Sequence, residues 1–199
     1  MECICGNRTW SIDQDELRSR IQGCQEVLLD IGTGDGRFVA SQVARNPWLF
    51  GIGLDACREN LQDISRKRTR QTLFVIANAL DMPAELSGQV THLSVNFPWG
   101  SLRDGLLKGE ASLIDGISRL CVKGTSIEMR LNESAVNEAG VELWEAGEHI
   151  QRSLYWAGFN ITNCRALGPD ELKACASTWA RKMAFGRAPR GMYITGRFT

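Results

Sequence analysis

Three short stretches of this 199-residue chain gather residue types that do chemistry. The first is Asp30-Ile-Gly-Thr-Gly-Asp-Gly36, which follows the apolar run Glu26 to Asp30 and precedes Phe38, Val39, Val43 and Ala44 at helical spacing. Glycines between a strand and a helix allow a tight turn and let a ligand approach the backbone. Asp55 ends the next apolar run, where a carboxylate can accept both hydroxyls of a ribose. The second stretch is Asn96-Phe-Pro-Trp-Gly-Ser-Leu102. A loop tryptophan such as Trp99 either fills core or serves as a platform on which a base stacks. The third is Ser177-Thr-Trp-Ala-Arg-Lys-Met-Ala-Phe-Gly-Arg187, in which Trp179 and Met183 share a helical face beside Arg181 and Lys182. Packing of Trp179 on Met183 is one reading, and a second aromatic wall bordered by phosphate contacts is the other.

The elements that must hold these stretches alternate between strand and helix. Glu26 to Asp30, Leu49 to Leu54, Leu73 to Ala77 and Val90 to Val95 read as strands, with helices between them. Helix over Ala111 to Cys121, strand over Ser126 to Leu131, helix over Gly147 to Ala157 and strand over Phe159 to Arg165 continue the rhythm. A short helix opens at Pro169, a helical piece spans Ser177 to Ala184, and a last strand covers Met192 to Phe198. Ser11 is expected to cap a helix containing Leu17 and Ile21, after a hairpin within residues 1–10. The pattern predicts one α/β domain over residues 1–199, an open sheet with helices on both faces, and ligand binding beyond the carboxyl ends of its strands.

Composition narrows the function. No run approaches the roughly 18 apolar residues of a membrane span, and no basic, apolar leader opens the chain, so a cytoplasmic protein is expected. Seven scattered cysteines and two histidines suit free thiols in a reducing compartment and no metal site. The 23 basic and 23 acidic residues cancel in number but are segregated. Arg58 to Arg70 and Lys173 to Arg197 are basic, whereas Glu133, Glu138, Glu142, Glu145 and Glu148 occupy a stretch without Lys or Arg. Such segregation can give a neutral protein an electropositive face for nucleic acid, or simply solvated helix faces.

The loop spacing is GxGxG with an acid before it, unlike the GxGxxG of dinucleotide folds, and no Gly-Lys-Ser/Thr follows to make a P-loop. It resembles the S-adenosylmethionine (SAM) loop of class I methyltransferases. The chain lacks the Asn/Asp-Pro-Pro-Tyr tetrad shared by amino-directed DNA and protein methyltransferases. Taken together, DIGTGDGR (30–37), Asp55 with Glu59-Asn60-Leu61, FPWGSL (97–102) and WARKMAFGR (179–187) resemble the aminoglycoside-resistance methyltransferases that modify N1 of a decoding-site adenine in 16S ribosomal RNA.

That resemblance implies a Rossmann-like, mostly parallel sheet of seven strands in the order 3-2-1-4-5-7-6, helices on both faces and a short amino-terminal hairpin. It implies a target adenine flipped out and sandwiched by Trp99 and Trp179, with Pro98, Ser101 and Ser177 shaping the two walls. The cofactor set becomes Asp30, Gly32, Thr33, Gly34, Asp55, Asn78, Ala79, Leu80 and Asn96. Leu80 stands where relatives commonly carry Glu near the cofactor adenine, so Asn78 or Asp81 is expected to make the polar contact. Arg66, Lys67, Arg70, Lys182, Arg187 and Arg190 are expected to dock the RNA of the small ribosomal subunit, with the protein acting as a monomer. The rival readings are a tRNA guanine-N7 methyltransferase, which characteristically shows Pro-Asp-Pro-Trp, a small-molecule methyltransferase, and a degenerate paralogue that binds RNA without transferring methyl groups.

Overall fold

Two faces of one sheet explain the sequence pattern. In the computed structural model, which describes residues 1–178 and 190–199, strands β3 (Glu26–Ile31) and β4 (Leu49–Asp55) are almost wholly buried. Their runs are therefore apolar rather than alternating, as expected for strands covered on both sides. Val27, Leu29 and Ile31 of β3 join Phe50, Ile52 and Leu54 of β4 in the main core. Leu28 and Leu49 belong to a second cluster on the other face, with Phe38 and Val43 of α2 (Arg37–Arg45). On that face β4 carries Gly51, where a Cβ would come within 2.7 Å of both Val39 and Val43. Its absence lets α2 lie against the strand.

The chain enters through β1 (Glu2–Cys5) and β2 (Arg8–Ser11), then α1 (Gln14–Ile21). After β4 come α3 (Arg58–Arg66), β5 (Thr72–Ile76), a 3-10 turn at Ala84–Leu86 and β6 (Val90–Asn96). Helices α4 (Gly100–Lys108) and α5 (Ala111–Leu120) lead to β7 (Cys121–Asn132), α6 (Glu133–Glu138), α7 (Leu143–Trp156), β8 (Phe159–Leu167), α8 (Pro169–Ala174) and β9 (Gly191–Phe198). The strands form one sheet in the order β2-β1-β5-β4-β3-β6-β7-β9-β8. Leaving out the hairpin, this is the expected 3-2-1-4-5-7-6 arrangement. Strands β3 to β7 run parallel, and β9 is antiparallel to both neighbours.

Four details differ from the sequence reading. Ser11 lies in β2 and does not cap α1; Asp13 does, its carboxylate accepting from the Glu16 amide at 2.8 Å. The hairpin is an extension of the sheet rather than an appendage, with β1 pairing antiparallel to β5 at Cys3 and Val75. Helix α4 begins directly at Gly100, because the chain turns through left-handed conformations at Phe97 (φ 53°) and Gly100 (φ 56°). Finally, α6 fills part of the acidic stretch. The helix expected over Ser177 to Ala184 falls mostly on residues outside the described ones. No described helix is long and apolar enough to cross a membrane.

Candidate functional site

Parallel strands that end side by side leave a crevice at their carboxyl ends, and a cavity of about 420 Å³ opens there. It is lined by the glycine loop after β3, by Asp55 and Ala56 after β4, by Ala77 to Ala79 after β5 and by residues 96–102 after β6. Ser177 and Thr178 complete the wall, and the Thr178 hydroxyl bonds to Asp35 of the glycine loop. The first and third stretches of chemistry-bearing residues thus meet across 143 positions of sequence.

Left-handed backbone at Gly32, Gly34 and Gly36 makes the loop, and the three differ in what a side chain would meet. A Cβ at Gly36 would lie 2.5 Å from the Phe74 ring and 2.8 Å from Ile64, whereas one at Gly34 meets nothing within 4 Å. Gly36 is needed for packing. Gly34 faces the cavity, where a ligand can approach its backbone.

Asp30 is 1% exposed and is the most constrained group of the site. Its Oδ2 accepts from Thr33 Oγ1 at 2.6 Å, and its Oδ1 accepts from Ser94 Oγ at 2.7 Å and Asn96 Nδ2 at 2.9 Å. Burial pushes its pKa up to about 6, the three hydrogen bonds opposing that rise and nearby Glu128 adding to it. A carboxylate has about four acceptor positions, so roughly one remains for a donor in the cavity. Asp55 accepts from the amides of Gly34 and Cys57, each at 2.8 Å, and from Asn60 Nδ2 at 3.3 Å. Those bonds fix the carboxylate at the cavity rim.

Trp99 is half exposed at the entrance to α4, with the Arg103 guanidinium 5.5 Å from its ring centre. Arg103 is itself tied to Asp104 at 2.8 Å and to the Ala135 carbonyl at 3.1 Å. Phe97 supplies the anchor beneath: its buried ring packs in the second cluster, and its amide donates to the Arg130 carbonyl at 2.7 Å. A non-glycine residue at positive φ stores roughly 1 to 3 kcal/mol of strain. Here it turns the chain so that the phenylalanine is inside while Pro98 and Trp99 line the cavity.

The structure therefore brings together Asp30, Gly32, Thr33, Gly34, Asp55, Asn78, Ala79, Asn96, Pro98, Trp99, Ser101 and Ser177. It does not bring in Leu80, whose side chain turns away to the main core and lies 3.2 Å from where a Cβ at Gly105 would stand. Asp81 also lies off the cavity, so Asn78 is the polar side chain that the loop after β5 presents. Trp179, Lys182 and Arg187 fall outside the described residues. Arg66, Lys67 and Arg70 lie at or beyond the far end of α3 and do not line the cavity. Arg66 bonds Asp63 at 3.0 Å and Asn7 of the hairpin turn at 3.2 Å, and exposed Arg190 sits 3.5 Å from Glu133. Among the described residues no group of three His, Cys, Asp or Glu side chains could hold a metal ion.

Sequence reading missed Arg103 and, apart from Asn96, the polar row beside Asp30. That row had a signal: His92, Ser94 and Asn96 alternate with Leu93 and Val95, and Ser126, Glu128 and Arg130 alternate with Ile127, Met129 and Leu131. Period-two polarity in interior strands marks a face that holds something other than core.

Residues 2–198 match the family model described as NpmA: 16S rRNA (adenine(1408)-N(1))-methyltransferase. The chain is 29% identical to a 16S rRNA (adenine(1408)-N(1))-methyltransferase of Escherichia coli, covering 98% of each chain. It is also 29% identical to one of Streptoalloteichus tenebrarius, over 94% of each. Among solved structures it is similar to the 16S rRNA methyltransferase KamB, with a TM-score of 0.90 at 28% identity over the whole of both chains. An antibiotic-related methyltransferase superposes with a TM-score of 0.86 at 29% identity, over 98% of this chain and 99% of the other.

Proposed function

Because the chain belongs to the 16S rRNA (adenine(1408)-N(1))-methyltransferase family, whose members methylate N1 of the decoding-site adenine and so confer aminoglycoside resistance, we propose a division of that work among its residues. The observation that carries the reading is a single cavity walled by two carboxylates from adjacent strand ends, a half-exposed tryptophan and the chain leading into a second tryptophan.

The donor set fits SAM. Asp30, with its remaining acceptor position, receives the ammonium of the methionine end, and the open backbone at Gly34 admits that end closely, while Gly32 beside it lines the same cavity with Leu102 packed 2.6 Å from where its Cβ would stand. Asp55 accepts the ribose hydroxyls, and Asn78 with Ala79 borders the adenine. When bound, SAM supplies a sulfonium methyl that the adenine N1 lone pair takes in line as the S–C bond breaks, the positive charge passing from sulfur to the base. No proton leaves N1, so no general base is needed, and both cavity carboxylates are free to serve as fixed hydrogen-bond partners. The protein contributes orientation and stacking faces that tolerate a cationic base.

Trp99 forms one wall of the base pocket and Trp179 the other, with Pro98, Ser101 and Ser177 setting their positions. Unstacking a base from its helix costs a few kcal/mol, and each aromatic contact returns roughly 1 to 3 kcal/mol. Arg66, Lys67, Arg70, Lys182, Arg187 and Arg190 dock the RNA of the assembled small subunit by shape and phosphates, and one monomer serves one site.

The test is incubation of the protein with intact small subunits and labelled SAM, followed by reverse transcription and nucleoside mass spectrometry. A stop at the decoding-site adenine with 1-methyladenine as product is expected. Trp99→Ala and Trp179→Ala should each abolish transfer while SAM binding by calorimetry stays within about threefold. Undiminished methylation by both variants would overturn the two-wall arrangement.

A further inference from the structure

The row of polar side chains beside Asp30 crosses three strands in register. Asn96 of β6 stands opposite Arg130 of β7, which stands opposite Tyr193 of β9, and Ser94 stands opposite Glu128 one pair away. All lie on the face away from the main core. Arg130 Nη1 donates to Asn96 Oδ1 at 2.8 Å, and Asn96 Nδ2 donates to Asp30 at 2.9 Å. Arg130 Nη2 reaches Glu128 Oε2 at 3.0 Å, and that same oxygen accepts from the Tyr193 hydroxyl at 2.9 Å. The guanidinium also rests 4.8 Å from the Tyr193 ring centre.

A side-chain amide has two ends of similar shape and opposite polarity. With Arg130 occupying its carbonyl, Asn96 has only its NH2 to offer Asp30. With Arg130 gone, the amide can turn and set its oxygen against the carboxylate. We propose that Arg130, braced by Glu128 and Tyr193, is a positioning residue for cofactor binding that holds Asn96 in the one orientation that keeps Asp30 an anion. This rests on the reading of Asp30 as the partner of the SAM ammonium.

The groups facing Asp30 from every packed element are the Thr33 hydroxyl of its own loop, Ser94 and Asn96 of β6, Glu128 and Arg130 of β7, and Cys175 after α8. Burial and Glu128 oppose ionisation, and the Asn96 amide is one of three donors that favour it. Replacing Arg130 alone would also leave Glu128 without its cation. The informative variant is therefore Glu128→Gln with Arg130→Met, which preserves net charge and removes both charges near Asp30 together.

The measurements are a carbon-13 NMR titration of the Asp30 carboxyl in cofactor-free protein and calorimetry of SAM binding from pH 5.5 to 8.5. In the double variant the carboxyl midpoint should rise by about one pH unit, and the Kd for SAM should rise about fivefold at pH 6 but less than twofold at pH 8. A merely structural role would weaken binding equally at all pH values. Arg130→Lys, whose ammonium can still donate to Asn96, should stay within about twofold of the unmodified protein at pH 6. A folded double variant with an unchanged midpoint and unchanged affinity overturns the role of Arg130. Asp30→Asn separates the two layers: loss of SAM binding there beside an unaffected double variant removes Arg130 alone, and unimpaired SAM binding by Asp30→Asn removes the premise with it.

Discussion

Asp30→Asn should make the cofactor-free protein more stable. The carboxyl is 1% exposed and its pKa rises from 3.8 to about 6, chiefly through burial. Between those values the native state holds the proton that the unfolded chain releases, so stability falls as pH rises through this window. Above about pH 6 the ionised group carries its full penalty, and below about pH 4 it carries none. Two units of displacement at 1.36 kcal/mol each make that penalty about 3 kcal/mol. Asparagine keeps the shape and can satisfy the same neighbours, its carbonyl accepting from Ser94 and Asn96 and its NH2 donating to the Thr33 hydroxyl. Urea denaturation of both cofactor-free proteins should therefore favour the variant by about 2 to 3 kcal/mol at pH 8, and the gap should close toward pH 4. A gap that ignores pH, or a variant less stable at pH 8, would refute the reasoning. Stability gained there with SAM binding lost would identify the carboxylate as a group retained for its ligand.

Other substitutions separate packing from binding. Gly36→Ala sets a Cβ 2.5 Å from Phe74 and should lower stability by about 2 kcal/mol or more, read as a drop in Tm. Gly34→Ala meets open space and should cost about 1 kcal/mol through its left-handed backbone, while weakening SAM binding more than tenfold because it narrows the cavity. Trp99→Ala, at a half-exposed site, should change stability by less than about 1 kcal/mol while methyl transfer is lost, so a large fall in Tm would assign the ring to packing instead. Neutralising Arg66, Lys67 and Arg70 together should leave the Kd for SAM unchanged. It should make the salt dependence of subunit binding shallower, by about 0.7 to 0.9 in logarithmic slope for each phosphate that the variant no longer neutralises. An unchanged salt slope would remove that cluster from the RNA surface.

The succession of strands and helices and the cavity's location are legible in the sequence because β3, β4 and β5 are short apolar runs, the first two ending in loops of distinct composition. Asp30 and Asp55 stand out for that reason. The order of strands in the sheet comes with the family resemblance and not from the pattern. Asp13 does not stand out as the cap of α1, because Ser11 is an equally good capping type; pairing of β2 with β1, which sequence does not state, decides between them. Leu80 falls at the cofactor pocket by its place in the chain after β5. The structure turns it inward because Gly105 on α4 leaves room for a leucine methyl there. Left-handed Phe97 has no signal, since the need for it arises only when the ring must reach the second cluster while Trp99 stays at the cavity. The Arg130 row is written in the alternation of β6 and β7 and needs only the register to be read.

Strand β9 is the last strand along the chain and an interior strand of the sheet, inserted between β7 and β8. During synthesis β7 emerges with one edge bare and β8 with no strand to join, because among the described strands β8 pairs with β9 alone. The carboxyl-terminal side of the sheet, with Met192 and Ile194 missing from the main core, stays open until residues 191–198 clear the exit tunnel. The enzyme is thus assembled in a fixed order of time. The cofactor half, from β3 to β6, can condense while β9 is still to be made, and the strand that joins β7 to β8 is the one that closes the sheet.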